Sequence, residues 1–495
     1  MGLVDFFHSF AKYLPEVKTP ETPPGTKERF FWTSVALIIF FMMYETTAFG
    51  VESKSAGADF LQTITASRIG SLLTAGIGPI VLASIFLQLF VGAGILKLNM
   101  KDKKDKQKFL ETQKVLAIVL AIVEGLIFVY TSRVLLATIP GFSPSILMAL
   151  VVAQIALGSV LILFLDELVT KYGIGSGISL FIAAGVSFAV MTGLVHIVFG
   201  SGGVIATMTG GGAEALPGAL AALLPFFFTV LVFLTVVYAE SVKVEIPIAF
   251  EKVRGLVPKL PLKFFYVSNI PVIFASALII NVQLFSGNLL VGQYWEQGPD
   301  LNIVKAKTEI LNGYSFERDG VLPIIGYVDS QGRLNDGLLY FLTPLSGGSL
   351  NYYNPFGNES RPTPIFHIPE WVHALGYIIL LSLISVLFGL FWVETANMDA
   401  KSVANQLSES GIQIPGFRRD PRMLETILNK HILPLTVMGS FCVGLLAGLA
   451  DLTGALGTGT GILLTVGILH KMYEQLEQMN ALEMYPSFSR LIGEE

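Results

Sequence analysis

Ser145–Leu165 reads SILMALVVAQIALGSVLILFL, a run without a single charge, and stretches like it recur from one end of the chain to the other. No other feature narrows the possible folds so far. A helix rises ~1.5 Å per residue, so about 20 apolar residues cross a hydrocarbon core of ~30 Å. Only 14% of the residues are charged, against roughly a quarter in a soluble protein. The pattern predicts an all-α polytopic membrane protein with ten transmembrane helices, near 30–50, 76–95, 114–138, 144–168, 174–199, 219–242, 266–285, 370–394, 432–450 and 460–478.

Basic residues orient these spans. Of the 32 lysines and arginines, 24 fall on the side that holds both termini. Five of the other eight lie in the long segment between spans seven and eight, too long to count heavily. The positive-inside rule therefore places both termini in the cytoplasm. Met1–Glu16 carries Leu3, Phe6, Phe7, Phe10 and Leu14 at helical spacing, which predicts a helix lying in the interface rather than a cleaved leader. The resulting division is a cytoplasmic helix and linker at 1–29, a first half at 30–200, a second half at 201–478, and a cytoplasmic tail at 479–495. Cytoplasmic loops are expected at 240–267 and 395–431. An exterior loop at 286–367 is expected to fold into a small flap, and its Asn358-Glu359-Ser360 is a weak glycosylation sequon.

A glycine ladder closes each half: GIGSGISLFI (Gly173–Ile182) and GTGTGILLTV (Gly457–Val466). Five spans per half is an odd number, so a duplicated unit must sit inverted in the membrane, giving two pseudo-symmetric halves, 1–5 and 6–10. Two unrelated close-packing glycine faces are the plainer alternative. The ladder leaves Ile174 and Ile178 one turn apart on one helix face, and GIGPIV does the same for Ile77 and Val81. Four such side chains suit a narrow apolar collar that excludes hydrated ions, although aliphatic pairs at this spacing also serve in ordinary helix packing.

QTITASRIGSLLTAGIGPIV, LDELVTKYGIGSGISLFIAAGV, VVYAESVKVEIPIAF, FFYVSNIPVIFASALIINVQL, FGLFWVET and GALGTGTGILLTV together resemble the SecY family, the channel subunit of the protein-conducting translocon, in its archaeal form. The resemblance covers nearly every span in order and fades in the exterior loop. It implies a channel that moves secretory polypeptides across the plasma membrane and releases membrane segments sideways into lipid. It implies a split second span: a plug at 57–70, with Phe60, Gln62, Thr63, Thr65, Ser67 and Arg68, then a gate helix. Carried over position by position, it implies a pore ring of Ile77, Val81, Ile174, Ile178, Ile273 and Leu464. Glu124 and Asn281 match polar positions of the lateral gate, while Leu82 stands where a threonine is usual, with Ser84 nearby. Arg254, Lys259, Arg418 and Arg419 match ribosome-docking loops, where rRNA phosphates would favour basic tips; alone, they equally set topology.

The implied partners are a SecE-type gamma subunit and a small beta subunit in a heterotrimer, the ribosome, signal peptides and nascent chains, and membrane lipids. No cofactor, metal or enzymatic activity is expected. The six histidines have no ligand spacing, Cys442 is alone, and no Walker loop, H-E-x-x-H or nucleophile elbow occurs. A secondary transporter is the alternative reading, since such folds share inverted repeats. It would need ionisable groups near the midplane, where Glu124 is nearly alone.

Overall fold

A computed structural model of the chain describes residues 14–22, 24–52, 62, 65–92, 94–96, 98, 100, 102–130, 134–200, 202–211, 215–247, 249–250, 259–286, 292–296, 308–311, 314–317, 326–328, 334–343, 368–409, 412–413 and 421–484. Each of the ten expected spans is a helix. They are helix 1 (Thr26–Glu45), helix 2 (Gly78–Gly92), helix 3 (Lys103–Tyr130), helix 4 (Pro144–Tyr172), helix 5 (Gly177–Phe199), helix 6 (Ala215–Ser241), helix 7 (Ile270–Ser286), helix 8 (Glu370–Thr395), helix 9 (Pro421–Leu452) and helix 10 (Gly459–Met484). Helices 3, 4, 5, 6, 8 and 9 are long and apolar enough to cross a bilayer alone, whereas helices 2 and 7 are apolar but shorter. Helix 6 presents Leu220, Phe227, Leu231, Leu234 and Tyr238 outward. In water such a face would be an aggregation site, and against lipid it costs nothing.

Several boundaries depart from the sequence reading, and helix 9, expected from 432, already starts at Pro421. The third span, expected at 114–138, runs Lys103–Tyr130. Its first turns take in a charged stretch that hydropathy discounts, and Leu136 instead forms a β-bridge with Val51. The ladder at Gly173 is also not yet helix. Gly175 takes φ +76° and Ser176 is an extended N-cap, so helix 5 starts at Gly177. Ile174 and Ile178 therefore do not lie one turn apart on a single helix face.

Close approach explains the glycines that do lie within helices. A Cβ on Gly444 would stand 2.6 Å from the Cα of Ser382, and one on Gly448 would stand 2.8 Å from Ile378 Cγ1. Helices 8 and 9 thus pack backbone to backbone through small residues four apart, as membrane helices do when lipid removes the hydrophobic drive to associate. Helix 2 packs on helices 3, 7 and 8. One core cluster joins both halves, running from Phe40 of helix 1 through Ile162, Phe181, Val272 and Phe388 to Ile468 of helix 10.

Outside the spans, the segment after helix 6 forms an antiparallel pair, Lys243–Pro247 with Lys259–Lys263, as the alternation in VEIPIAF predicts. Between helices 7 and 8, five strands form one sheet in the spatial order Thr308–Leu311, Tyr314–Glu317, Gly292–Glu296, Tyr327–Val328, Leu334–Asp336. Of the interfacial helix expected over Met1–Glu16, residues 1–13 lie outside the described residues, as does the sequon at Asn358, and residues 14–16 are not helical.

Candidate functional site

Four of the six residues expected in the ring belong to the buried core cluster that joins the two halves. Ile77 (1% exposed), Val81 (4%), Ile273 (9%) and Leu464 (0%) belong to the shared central cluster, and Ile178 packs against it. Ile174 is equally buried but reaches its position by another route. Its backbone N–H donates to Thr33 Oγ1 of helix 1 at 3.1 Å, and Thr33 Oγ1 in turn donates to the Arg29 carbonyl at 2.7 Å. Each aliphatic side chain removed from water gains ~1.5–3 kcal/mol, so such a cluster favours closure and offers no polar group to an ion.

The segment before helix 2 seals this cluster from one side. Ala66 is fully buried within it and lies against helix 5, where a Cβ on Gly185 would be 3.4 Å from the Ala66 Cα. Ile77 N–H donates to the Thr65 carbonyl at 2.9 Å. A Cβ on Gly76 would stand 2.2 Å from that same oxygen, so only glycine admits the bond. Thr65 and Ser67 are buried and share a hydroxyl–hydroxyl bond of 2.6 Å. Ser67 N–H donates to the Gln62 carbonyl at 2.9 Å. Arg68 pairs with Glu45 at the end of helix 1 and lies over the Tyr44 ring. Phe60 and Thr63 lie outside the described residues.

A cavity of about 490 Å³ lies where the start of helix 1 and the C-terminal part of helix 10 meet the segments that precede helices 5 and 7. Arg29, Ser176, Asn269, Ile273, Gly467 and Lys471 are among its lining residues. The same apolar cluster thus includes Ala66 of the segment before helix 2 and, through Ile273, borders a partly basic cavity.

Glu124 and Asn281 are both buried, at 2% and 4% exposed. Glu124 Oε2 sits where a Cβ on Gly78 would be 2.9 Å away, so the carboxyl rests on the glycine that opens helix 2. Asn281 Nδ2 bonds to the Ala277 carbonyl of its own helix at 2.8 Å. Phe128 and Val129 of helix 3 share an apolar cluster with Ile280 and Leu284 of helix 7, which closes that seam. Leu82 is buried in the central cluster. Ser84 accepts from Gln88 Nε2 at 3.2 Å, so its hydroxyl is engaged along helix 2. Lys259 lies on the strand paired with Lys243–Pro247, whereas Arg254, Arg418 and Arg419 fall outside the described residues.

Sequence reasoning missed the residues that hold the pore-lining helices. Asp166 Oδ1 accepts the Ile178 N–H at 2.8 Å. Asp451 accepts the Thr460 N–H at 2.8 Å and the Thr460 hydroxyl at 2.6 Å. Both act as N-caps from a distance, satisfying helix donors that are otherwise orphaned. An acid at the end of the preceding span was the available signal. At the face with the termini, Glu16, Lys114, Glu167 and Lys171 form an ionic cluster that clasps the N-terminal segment. The hydrogen bond from Lys171, and then the charge of Lys114, hold the Glu16 carboxyl below the ordinary carboxylate range. Among the described residues no group of three or more His, Cys, Asp or Glu is placed to hold a metal.

Comparison with known proteins fixes the family. The SecY family model matches residues 71–473. The protein translocase subunit SecY of Methanocaldococcus jannaschii is 39% identical over 97% of this chain and 98% of its own length. A solved channel, whose SecY plug domain is described as stabilising the closed state and maintaining a membrane seal, has a TM-score of 0.75 at 36% identity. It covers 98% of this chain and 99% of that one. Sec61 in a canine ribosome–channel complex has a TM-score of 0.74 at 37% identity over the same shares. This chain belongs to the SecY family.

Proposed function

We propose that this SecY-family chain is the channel subunit of a protein translocon, passing secretory polypeptides through its centre and releasing membrane segments sideways. What supports the reading is that ring candidates from helices 2, 7 and 10 belong to one buried apolar cluster, which also takes in Ala66 of the segment before helix 2 and reaches a cavity at Ile273. The ring comprises Ile77, Val81, Ile174, Ile178, Ile273 and Leu464. It seals by dewetting, because a hydrated ion cannot shed its waters against methyl groups, and it deforms around an extended chain without selecting its sequence.

The plug spans 57–70. Its Gln62, Thr65, Ser67 and Arg68 suit a watery funnel, where a polar segment costs little; Phe60 and Thr63 belong to the same stretch. The lateral gate is the seam of helices 2 and 3 against 7 and 8. Glu124 and Asn281 supply polar groups at membrane depth that a partner or entering water would satisfy. Leu82 leaves helix 2 without a hydroxyl at that level, so closure there rests on packing. Both termini are cytoplasmic, in the plasma membrane, which puts the basic loops on the ribosome's side. Arg254, Lys259, Arg418 and Arg419 would meet rRNA phosphates, in keeping with the ribosome-bound relative. A SecE-type gamma subunit and a beta subunit complete the heterotrimer, and signal peptides and nascent chains are its clients.

A stalled secretory nascent chain carrying a photoreactive residue at mid-membrane depth should crosslink at Ile273 and Ile174. Absence of adducts, with saturable uptake of a small solute by the purified protein, would favour a secondary transporter. Deleting 57–68 should raise resting ion conductance in planar bilayers, and an unchanged current would remove the plug.

A further inference from the structure

Helices 7 and 10 each bring one residue to the waist, and a single side chain joins them just beside it. Asn269 Nδ2 donates to the Leu463 carbonyl at 3.0 Å. Leu463 immediately precedes Leu464, and the carbonyl of Asn269 accepts the Ile273 N–H at 3.1 Å. One residue is thus bonded through its backbone to one ring member and through its side chain to the neighbour of another.

The surroundings are built for this contact. Asn269 is 3% exposed. Ser268, just before it, holds φ at +56°, a left-handed conformation that costs a serine ~1–2 kcal/mol and persists only where the neighbouring structure demands it. Helix 10 is thinned at the same level, since a Cβ on Gly467 would stand 1.8 Å from Asn269 Nδ2 and 2.9 Å from Glu240 Oε1 of helix 6. Any side chain at 467 would displace the amide. The Leu463 carbonyl lies within helix 10, where an N–H four residues on is its ordinary partner. The amide therefore fixes how two helices sit against each other and completes no secondary structure.

We propose that Asn269 is a positioning residue of the pore: its amide latches helix 7 to helix 10 and holds Ile273 level with Leu464 while the channel is closed. The proposal rests on the channel reading above. Parting helix 7 from helix 10 breaks the latch and frees Ile273 to move away from Leu464.

The test uses the full chain in its reconstituted complex, with resting conductance in planar bilayers, thermal unfolding midpoint and translocation of a secretory polypeptide measured together. Asn269→Leu keeps the volume and removes the amide. It should raise resting conductance roughly tenfold, the factor that a lost hydrogen bond of about 1.4 kcal/mol would give, with the midpoint lowered by no more than that single bond implies. Gly467→Ala displaces the same amide from helix 10 and should by itself raise resting conductance as Asn269→Leu does. Conductance equal to that of the unsubstituted complex would overturn the latch. So would a rise accompanied by a midpoint drop much larger than one lost hydrogen bond implies, because that is loosened packing. The unsubstituted complex separates the two readings. If it fails to translocate, the channel assignment falls; if it translocates while Asn269→Leu leaves conductance unchanged, only the latch does.

Discussion

Helix 5 and helix 10 occupy corresponding places in the two halves, and each starts at a glycine pressed against the end of the preceding helix. A Cβ on Gly177 would stand 2.5 Å from the Asp166 Cα, and one on Gly459 would stand 2.0 Å from the Ala450 carbonyl carbon. In both, an aspartate near the end of one span caps the start of the next. The difference lies in the third partner. Asp451 also accepts the Tyr377 hydroxyl of helix 8 at 3.2 Å, so the second joint is tied to the gate side of the molecule. In the first joint a different group is anchored: Ile174 hangs from Thr33 of helix 1. The shared aspartate fits a common inverted ancestor, and the tethers differ because each joint serves a different neighbour.

The largest test of this asymmetry is Asp451→Ala. It leaves a buried hydroxyl and helix donors without partners, and should cost about 3 kcal/mol of unfolding free energy in detergent. Asp166→Ala, which removes a cap but no tether to helix 8, should cost less, about 1–2 kcal/mol. Equal losses would erase the distinction between the joints. Tyr377→Phe keeps the ring and cuts only the tether, so about 1 kcal/mol is expected; no loss would mean that helix 8 contributes packing alone.

The smallest effect belongs to the N-terminal clasp on helices 3 and 4, which has no counterpart among the described residues of the second half. Glu16 has a lowered carboxyl pKa in the folded chain, so its contribution is complete above the ordinary value of 4.5. It fades as pH falls through the lower folded value. Glu16 is exposed and solvent screens the pair. Protease protection of residues 14–22 should therefore drop modestly on acidification below pH 4.5, and Glu16→Gln should abolish that pH dependence. A Glu16→Gln profile identical to that of the unsubstituted chain would assign the change elsewhere.

Much of the architecture was legible because lipid imposes a one-dimensional rule: uncharged runs of sufficient length become helices, and their order survives. Boundaries failed where that rule does not reach. The charged start of helix 3 lies beyond the apolar core and is invisible to hydropathy. The break at Gly175 depends on a left-handed backbone and on Thr33, 142 residues earlier. Ile77 and Val81 could be paired by spacing because the Val81 N–H does bond to the Ile77 carbonyl, at 3.1 Å. Asp451, Tyr377 and Thr460, like Asn269 and Leu463, meet only after three dimensions are assembled, and neither period nor propensity joins them.

The bond between Ile77 and the Thr65 carbonyl has a further consequence. A stopper that merely rested on the rim could leave without disturbing it. On the proposed plug reading, Ile77 borrows its amide partner from the stopper, so withdrawal strips Ile77 of that bond and loosens the entry to helix 2. Unblocking the passage and softening its edge are then two views of one movement, and resealing must restore both together.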